Sequence, residues 1–331
     1  MLNPNLKLNT KIFADDCEQL PIRTGFGEGL AIAGEQYKHI VALCADLTES
    51  TQMHLFKQKF PERFIEMGIA EQNMASVASG MAAMGKYPFF SSYAMFSPGR
   101  NWEQIRTTIA YNNRPCVIVG SHAGVSVGPD GGTHQAIEDI AITRVIPRMT
   151  VISPCDAIQA KKATLALAAD NKIAYLRLAR EKTPIITTDE TPFELGKGQI
   201  MYRPDGLAHV AFVATGALVV QALRAAKFLE KKGIKVLVVN IHTIKPIDAE
   251  LLVQVARETK AIVTIEEHQV IGGLGGAVAE VLAQKCPTPI EFIGVQDLFG
   301  QSGTPNELIE HYGMGLDAIM TATHKVLERK N

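Results

Sequence analysis

Apolar and polar positions along the chain switch repeatedly between two periods. In the stretch RFIEMGIAEQNMASVASG, which runs from Arg63 to Gly80, a short apolar run gives way to Gly-Ile-Ala. Apolar residues then recur at Met74, Val77, Ala78 and Met81, the i, i+3, i+4, i+7 spacing of a helix with one buried face. The pattern predicts a strand, a turn and a helix that opens on Glu71. Upstream, residues 11–36 read as helical with glycines at Gly25, Gly27 and Gly29, followed by a strand over 39–44 and a loop over 45–51. Downstream come a strand near 88–92, a helix over about 101–111 and a β-branched run at 116–119. A long glycine-rich loop then leads to a helix near 135–143; 150–153 and 174–178 read as strands with a helix over 156–169 between them. Strands alternating with helices imply a parallel, doubly wound sheet.

A second unit of the same kind follows. Residues 186–205, rich in Thr, Pro, Gly and charge, read as a linker between a domain over 1–185 and another over 206–331. In the latter, 210–214, 236–240, 261–266 and 290–295 are strand candidates, with helical patterns at 217–232 and 249–258. The fold class expected is α/β, with two doubly wound domains. The Gly25, Gly27, Gly29 set is no dinucleotide fingerprint, because no strand leads directly into it and no third glycine has the required spacing. Gly272, Gly273, Gly275 and Gly276 precede a helix near 277–283 and suggest tight loop-to-helix packing rather than phosphate binding.

Length and composition agree with this division. A chain of 331 residues suits two domains, and its 47% hydrophobic and 20% charged residues allow each a real core. The net charge of −1 and the scattered basic residues give no electrostatic footprint for nucleic acid. The cysteines Cys17, Cys44, Cys116, Cys155 and Cys286 are odd in number and lack a CxxC pair, which predicts reduced core thiols rather than a disulfide framework or zinc site. The start lacks the apolar core of a signal peptide. The richest apolar run, 210–225, is interrupted by Thr215, Gly216, Gln221 and Arg224, so a cytoplasmic protein without a membrane span is expected.

Three places carry candidate chemistry. Glu71 stands where strand hands over to helix, outside the carboxyl end of a strand, where open α/β sheets bind ligands; a glutamate there also simply favours the positive helix end. Ser121-His122-Ala123-Gly124 and Pro129-Asp130-Gly131-Gly132-Thr133-His134-Gln135 put two histidines and an aspartate in one glycine-rich loop. Glycines let a backbone approach a ligand, and imidazoles can donate to hydroxyls and move protons near neutral pH. The residues alone leave structural histidines and a polar-ligand site equally open.

The words around Glu71 narrow the choice. Met67 to Asn73, MGIAEQN, resembles the glutamate motif in the pyrimidine-binding domain of thiamine-diphosphate enzymes of the transketolase family. The resemblance implies that Glu71 hydrogen-bonds N1′ of the coenzyme's aminopyrimidine ring, so that the 4′ nitrogen takes the proton from C2 of the thiazolium. It implies also that His122 and Asp130 hold substrate hydroxyls, and that His134, a position occupied by histidine or glutamine in the family, hydrogen-bonds the sugar. Glu71, His122 and His134 are then the expected catalytic residues. Tyr93 and Phe96, in Ser-Ser-Tyr-Ala-Met-Phe, match the aromatic segment that packs on the aminopyrimidine, whereas Ser97-Pro98-Gly99 departs from the family by about one residue. Arg23, Ser50 and Arg180 fall where the family places its sugar-phosphate ligands, a role that suits a guanidinium's bidentate fork. Asp46 is expected to help fix the coenzyme.

The resemblance covers only the last two domains of a transketolase. The family's N-terminal domain holds Mg²⁺ (or Ca²⁺) and the coenzyme diphosphate through Gly-Asp-Gly and a downstream Asn, and this sequence has no Gly-Asp-Gly. The expectation is therefore the C-terminal subunit of a split transketolase. It would pair with a separate diphosphate-binding subunit as an α2β2 tetramer and move a two-carbon ketol unit between sugar phosphates. The β subunit of a 2-oxo-acid dehydrogenase, a deoxyxylulose-phosphate-synthase-like subunit and a non-catalytic paralogue are the alternatives.

Overall fold

The computed structural model describes residues 1–330. In chain order, the N-terminal half forms β1 (Gln19–Pro21), α1 (Ile22–Gln36), β2 (Ile40–Cys44), α2 (His54–Lys59), β3 (Phe64–Glu66), α3 (Glu71–Ala83) and β4 (Tyr87–Tyr93). It continues with α4 (Trp102–Gln104), which runs on as a π-helix over Ile105–Tyr111, then β5 (Val117–Ser121), α5 (Asp139–Arg144), β6 (Thr150–Ile152), α6 (Ala157–Asp170), β7 (Ala174–Arg177) and β8 (Lys182–Pro184). The C-terminal half adds β9 (Gln199–Tyr202), β10 (Val210–Ala214), α7 (Val219–Glu230), β11 (Val236–Asn240), β12 (Thr243–Lys245), α8 (Ala249–Thr259), β13 (Ile262–Gln269), α9 (Leu274–Lys285), β14 (Ile290–Val295), α10 (Pro305–His311) and α11 (Leu316–Glu328).

Two sheets result. The first has the order β12-β6-β7-β5-β4-β2-β3 and the second β14-β13-β10-β11-β9, while β1 and β8 pair as a small antiparallel ribbon. Both are parallel except at one edge, where β12 and β9 run antiparallel to their neighbours. Strand residues alternate between cores on opposite faces. In β2, Val41 and Leu43 join one apolar cluster and Ile40, Ala42 and Cys44 another. Burial on both faces is why these strands read as continuous apolar runs. The cluster holding Leu43 and Met74 extends to Val213 and Val239 of the second sheet, so the two halves share a core.

Two edge strands depart from the sequence reading. Residues 199–202, within the stretch expected as a linker, form β9 of the second sheet. Thr243 to Lys245, far into the C-terminal half, pair with β6 and complete the first sheet, Thr243 opposite Ile152. Three residues carry too little periodicity to announce a partner so distant. The first helix also starts later than its pattern suggests, at Ile22, because the extended backbone of Pro21 ends the ribbon and admits a helix only after it.

The glycine runs serve packing. A Cβ on Gly25 would lie 1.7 Å from the Ala157 carbonyl oxygen, and one on Gly29 3.0 Å from that of Lys161, so α1 meets α6 backbone to backbone. At the entry to α9, the buried Glu266 carboxylate accepts the Leu274 and Gly275 amides at 2.6 and 2.7 Å, filling the helix end from within the protein. Burial pushes that carboxyl up to about 7, against the pull of those two amides. No helix among the described residues is long and apolar enough to cross a membrane. Four of the cysteines are buried as expected, whereas Cys286 is only half-buried.

Gly25→Ala should lower the unfolding free energy by about 1–3 kcal/mol for a methyl forced into a closed helix contact, read as a lower urea midpoint at an unchanged slope. An unchanged midpoint would show that α1 can slide on α6.

Candidate functional site

The parallel strands β7, β5, β4, β2 and β3 lie side by side, and their carboxyl ends supply nearly every residue singled out from the sequence. Arg180 follows β7, His122 follows β5, Tyr93 ends β4, Asp46 and Ser50 lie in the loop after β2, and Glu71 opens α3 just after β3. One edge of one sheet therefore gathers them, as open α/β folds gather ligands.

Glu71 is held by a device that begins five residues earlier. The Glu66 carboxylate accepts the Asp46 amide at 2.7 Å, the Thr48 hydroxyl at 2.8 Å and the Gly68 amide at 3.1 Å, tying the loop after β2 to the turn before α3. Gly68 takes φ +66°, a left-handed conformation glycine adopts without strain. The chain then enters α3 with the Glu71 side chain pointing inward, only 2% exposed. A buried carboxylate must be paired. Arg100 donates to Oε2 at 2.6 Å, the Ser92 hydroxyl to Oε1 at 3.3 Å, and Asn101 Nδ2 to the Glu71 backbone carbonyl at 3.1 Å. Arg100 escaped the sequence reading because it follows Ser97-Pro98-Gly99, where the family pattern breaks. Its side chain is 45% exposed, so it is the donor to Glu71 that solvent reaches.

An aromatic ledge runs from this carboxylate toward the loop after β5. The Arg100 guanidinium lies over Phe96 at 4.8 Å, Phe96 and Tyr93 are stacked at 6.5 Å and 20°, and Tyr93 stacks on His122 at 3.9 Å and 26°. His134 stands edge-on to Phe96 at 5.4 Å, with its Nδ1 2.9 Å from the Thr133 hydroxyl.

His122 connects the ledge to two arginines. Its Nε2 is 2.9 Å from Arg23 Nη1 and its Nδ1 is 2.8 Å from the Ser121 hydroxyl. A guanidinium can only donate, so Nε2 accepts and Nδ1 carries the proton. Burial, then Arg23 and Arg180, push the imidazole down to about 3, and it is neutral at ordinary pH. Arg23 also donates to the Ser50 carbonyl at 2.8 Å, while its buried Nε has no partner among the described residues. Burial and the neighbouring Arg180 lower the Arg23 guanidinium. Arg180 donates to the Val127 carbonyl. Ser50 thus enters through its backbone rather than its hydroxyl.

Two predicted residues stay apart. Asp130 is exposed at the end of a 3₁₀ turn over Val125–Asp130 and makes no side-chain hydrogen bond or ion pair among the described residues. Asp46 is exposed, and its amide rather than its carboxylate is engaged.

A flat nitrogen heterocycle fits these residues. It would meet an inward-facing carboxylate at one end and aromatic faces along its plane, beside a 390 Å³ cleft bounded by Phe96, Arg100, Glu138 and Ile142. The described residues contain no cluster of three His, Cys, Asp or Glu side chains able to hold a metal ion. Behind the ledge, Asp139 accepts from Arg177 Nε at 2.8 Å and from the Tyr175 hydroxyl at 2.6 Å, while Arg177 also donates to the Glu267 carbonyl at 2.8 Å. Glu267 Oε1 in turn accepts the Ser126 amide at 2.6 Å, so the C-terminal half grips the loop that follows His122.

Residues 18–185 match the profile of the transketolase pyrimidine-binding domain and residues 198–319 that of the transketolase C-terminal domain. A Methanocaldococcus jannaschii protein, provisionally named a transketolase C-terminal section, is 44% identical over 90% of this chain and 93% of its own length. A 6-deoxy-6-sulfo-D-fructose transketolase subunit of Clostridium sp. is 42% identical over 88% of this chain and 90% of its own. Among solved structures, a split-gene transketolase described as an inactive β4 tetramer superposes with a TM-score of 0.87 at 43% identity, covering 94% of this chain and 100% of that one.

The His122 ring should remain neutral in an NMR titration until the pH approaches 3 to 4. Because its native value lies below the unfolded value near 6.5, the native state binds fewer protons between the two, and this residue subtracts stability as pH falls through that window. Arg23→Gln should move the midpoint upward. A midpoint near 6.5 in the parent would contradict the burial and charge described.

Proposed function

The chain belongs to the transketolase family, and we propose that it is the pyrimidine-binding subunit of a two-subunit, thiamine-diphosphate-dependent enzyme that transfers a two-carbon ketol unit from a ketose to an aldose. The observation that carries this reading is the inward-facing Glu71 carboxylate at the mouth of an aromatic ledge. When bound, thiamine diphosphate supplies the carbon nucleophile that attacks a ketose carbonyl.

Glu71 would share a proton with N1′ of the aminopyrimidine ring, and Arg100 must release Oε2 for that contact to form. Ser92 can keep its bond to Oε1 throughout. Tyr93 and Phe96 offer aromatic surface on which the ring stacks and is aligned. At the other end of the ledge, Arg23 and Arg180 suit an anionic sugar terminus. An anion between them would offset their mutual repulsion, draw Arg23 from His122 Nε2 and raise the imidazole's affinity for a proton. His122 would then accept a hydrogen bond from a sugar hydroxyl, and His134 and Asp130 would serve hydroxyls further along. Ser50 and Asp46 would act through the loop that Glu66 braces, Ser50 by positioning Arg23 and Asp46 by fixing the coenzyme.

The terminus is a phosphate on this reading. The Clostridium relative is named for a 6-sulfonated ketose, and a sulfonate presents oxygens to the same two guanidiniums. The diphosphate and its Mg²⁺ or Ca²⁺ would belong to a partner subunit in an α2β2 tetramer. Support comes from this chain's near-complete overlap with relatives named as a section or subunit. It comes also from exposed apolar side chains flanking the ends of α3 and the π-helix, Ile69 at 73%, Met84 at 83% and Tyr111 at 83%, which a partner would cover.

With the partner present, Glu71→Gln should cut turnover by about 10²-fold or more while assembly is retained; parent-like turnover would sink the assignment. Arg180→Gln should raise KM for a ketose phosphate by about tenfold with kcat little changed, the signature of lost uniform binding.

A further inference from the structure

A second polar pocket, of 200 Å³, lies between the two halves of the chain on the other side of the loop that carries His122. Ser126 and Ala179 form its wall toward the sheet, α7 and α10 its wall toward the C-terminal half, and none of the candidate active-site residues lines it. Two features of its lining are unresolved within the protein. Glu267 is 3% exposed, and its Oε2, unlike the Oε1 that accepts the Ser126 amide, has no partner among the described residues. Lys182 and Arg224, both exposed at the rim, make no ion pair or side-chain hydrogen bond among the described residues. Glu181, also at the rim, faces Arg180 at 3.6 Å and is thereby compensated.

We infer that this pocket binds a small hydroxylated anion, a hydroxy acid or sugar phosphate of about three carbons, with the anionic group on Lys182 and Arg224 and a hydroxyl on Glu267 Oε2. A buried acceptor with nothing donating to it is left desolvated and unpaired, and a ligand hydroxyl removes that cost. Burial pushes the Glu267 carboxyl up, against the pull of Arg177 and the Ser126 amide. The rim cations supply charge-assisted bonds, and the Gln221 and Asn306 amides line the space between. An apolar cavity of about 150 Å³ holds a benzene ring, so 200 Å³ holds roughly eight to ten heavy atoms, which is the size of a triose phosphate.

The site is separate from the Arg23 and Arg180 pair, and its test is arranged so that the two do not confuse each other. Glycerol 3-phosphate is titrated calorimetrically into the full chain carrying Arg23→Gln and Arg180→Gln, with inorganic phosphate as the comparison. One equivalent should bind, and adding Lys182→Gln with Arg224→Gln, both surface changes that spare the core, should weaken it at least about tenfold. Inorganic phosphate, which offers Glu267 no carbon-borne hydroxyl, should bind more weakly. Absence of binding up to millimolar concentration, or binding indifferent to the Lys182 and Arg224 changes, overturns the site. Equal affinity for the two probes overturns the ligand class.

Discussion

The structure turns on the cost of keeping one carboxylate out of water. Glu71 is buried at the junction of β3 and α3, and a charge so placed persists only where donors surround it. Glu66, Gly68 and the short strand before them set the entry angle of α3, and Ser92 at the end of β4 provides one donor. Arg100 provides the other from the half-exposed side, which makes it the replaceable member of the set. On the proposed function, one fixed and one exchangeable donor would let a ring replace Arg100 without the carboxylate being stranded.

A second charge arrangement shapes the far end of the ledge. Burial first, then the charges of Arg23 and Arg180, hold His122 neutral, with its Nε2 lone pair occupied by Arg23. Arg23 is anchored by the Ser50 carbonyl and Arg180 by the Val127 carbonyl, with the Glu181 carboxylate 3.6 Å from Arg180. A carbonyl anchor orients a guanidinium without cancelling its charge, so Arg23 keeps its positive field. The buried Arg177 differs: it is paired with Asp139 within the N-terminal half and donates across to the Glu267 carbonyl of the C-terminal half.

Much of this was legible from residue order alone. The change of period at Gly68 marked the strand, turn and helix around Glu71, and the glycines after β5 marked a long loop at the end of that strand. The stacking of Tyr93 on His122 was not, because it joins two strand ends 29 residues apart. Arg100 was hidden by an irregular segment, and the Glu267 grip on Ser126 spans 141 residues, a distance over which no local pattern speaks. Asp130 was expected as a ligand residue from the resemblance; it lies exposed at a turn, with no side-chain hydrogen bond or ion pair among the described residues. Gly25, Gly27 and Gly29, already set aside as a dinucleotide fingerprint, serve close packing of α1: Gly25 and Gly29 meet α6, and Gly27 meets Gln52 and Leu55.

The placement of β12 has a consequence for how the chain is made. Its three residues close the outer edge of the first sheet, although they are synthesised after β9, β10 and β11 of the second. Emerging from the ribosome in order, the N-terminal half reaches β8 with β6 still an open edge, a surface prone to pairing with other chains. That edge stays bare until the protein has been translated through Lys245. The two halves are therefore not beads that ripen in turn, and the later one is a fastening that the earlier one must wait for.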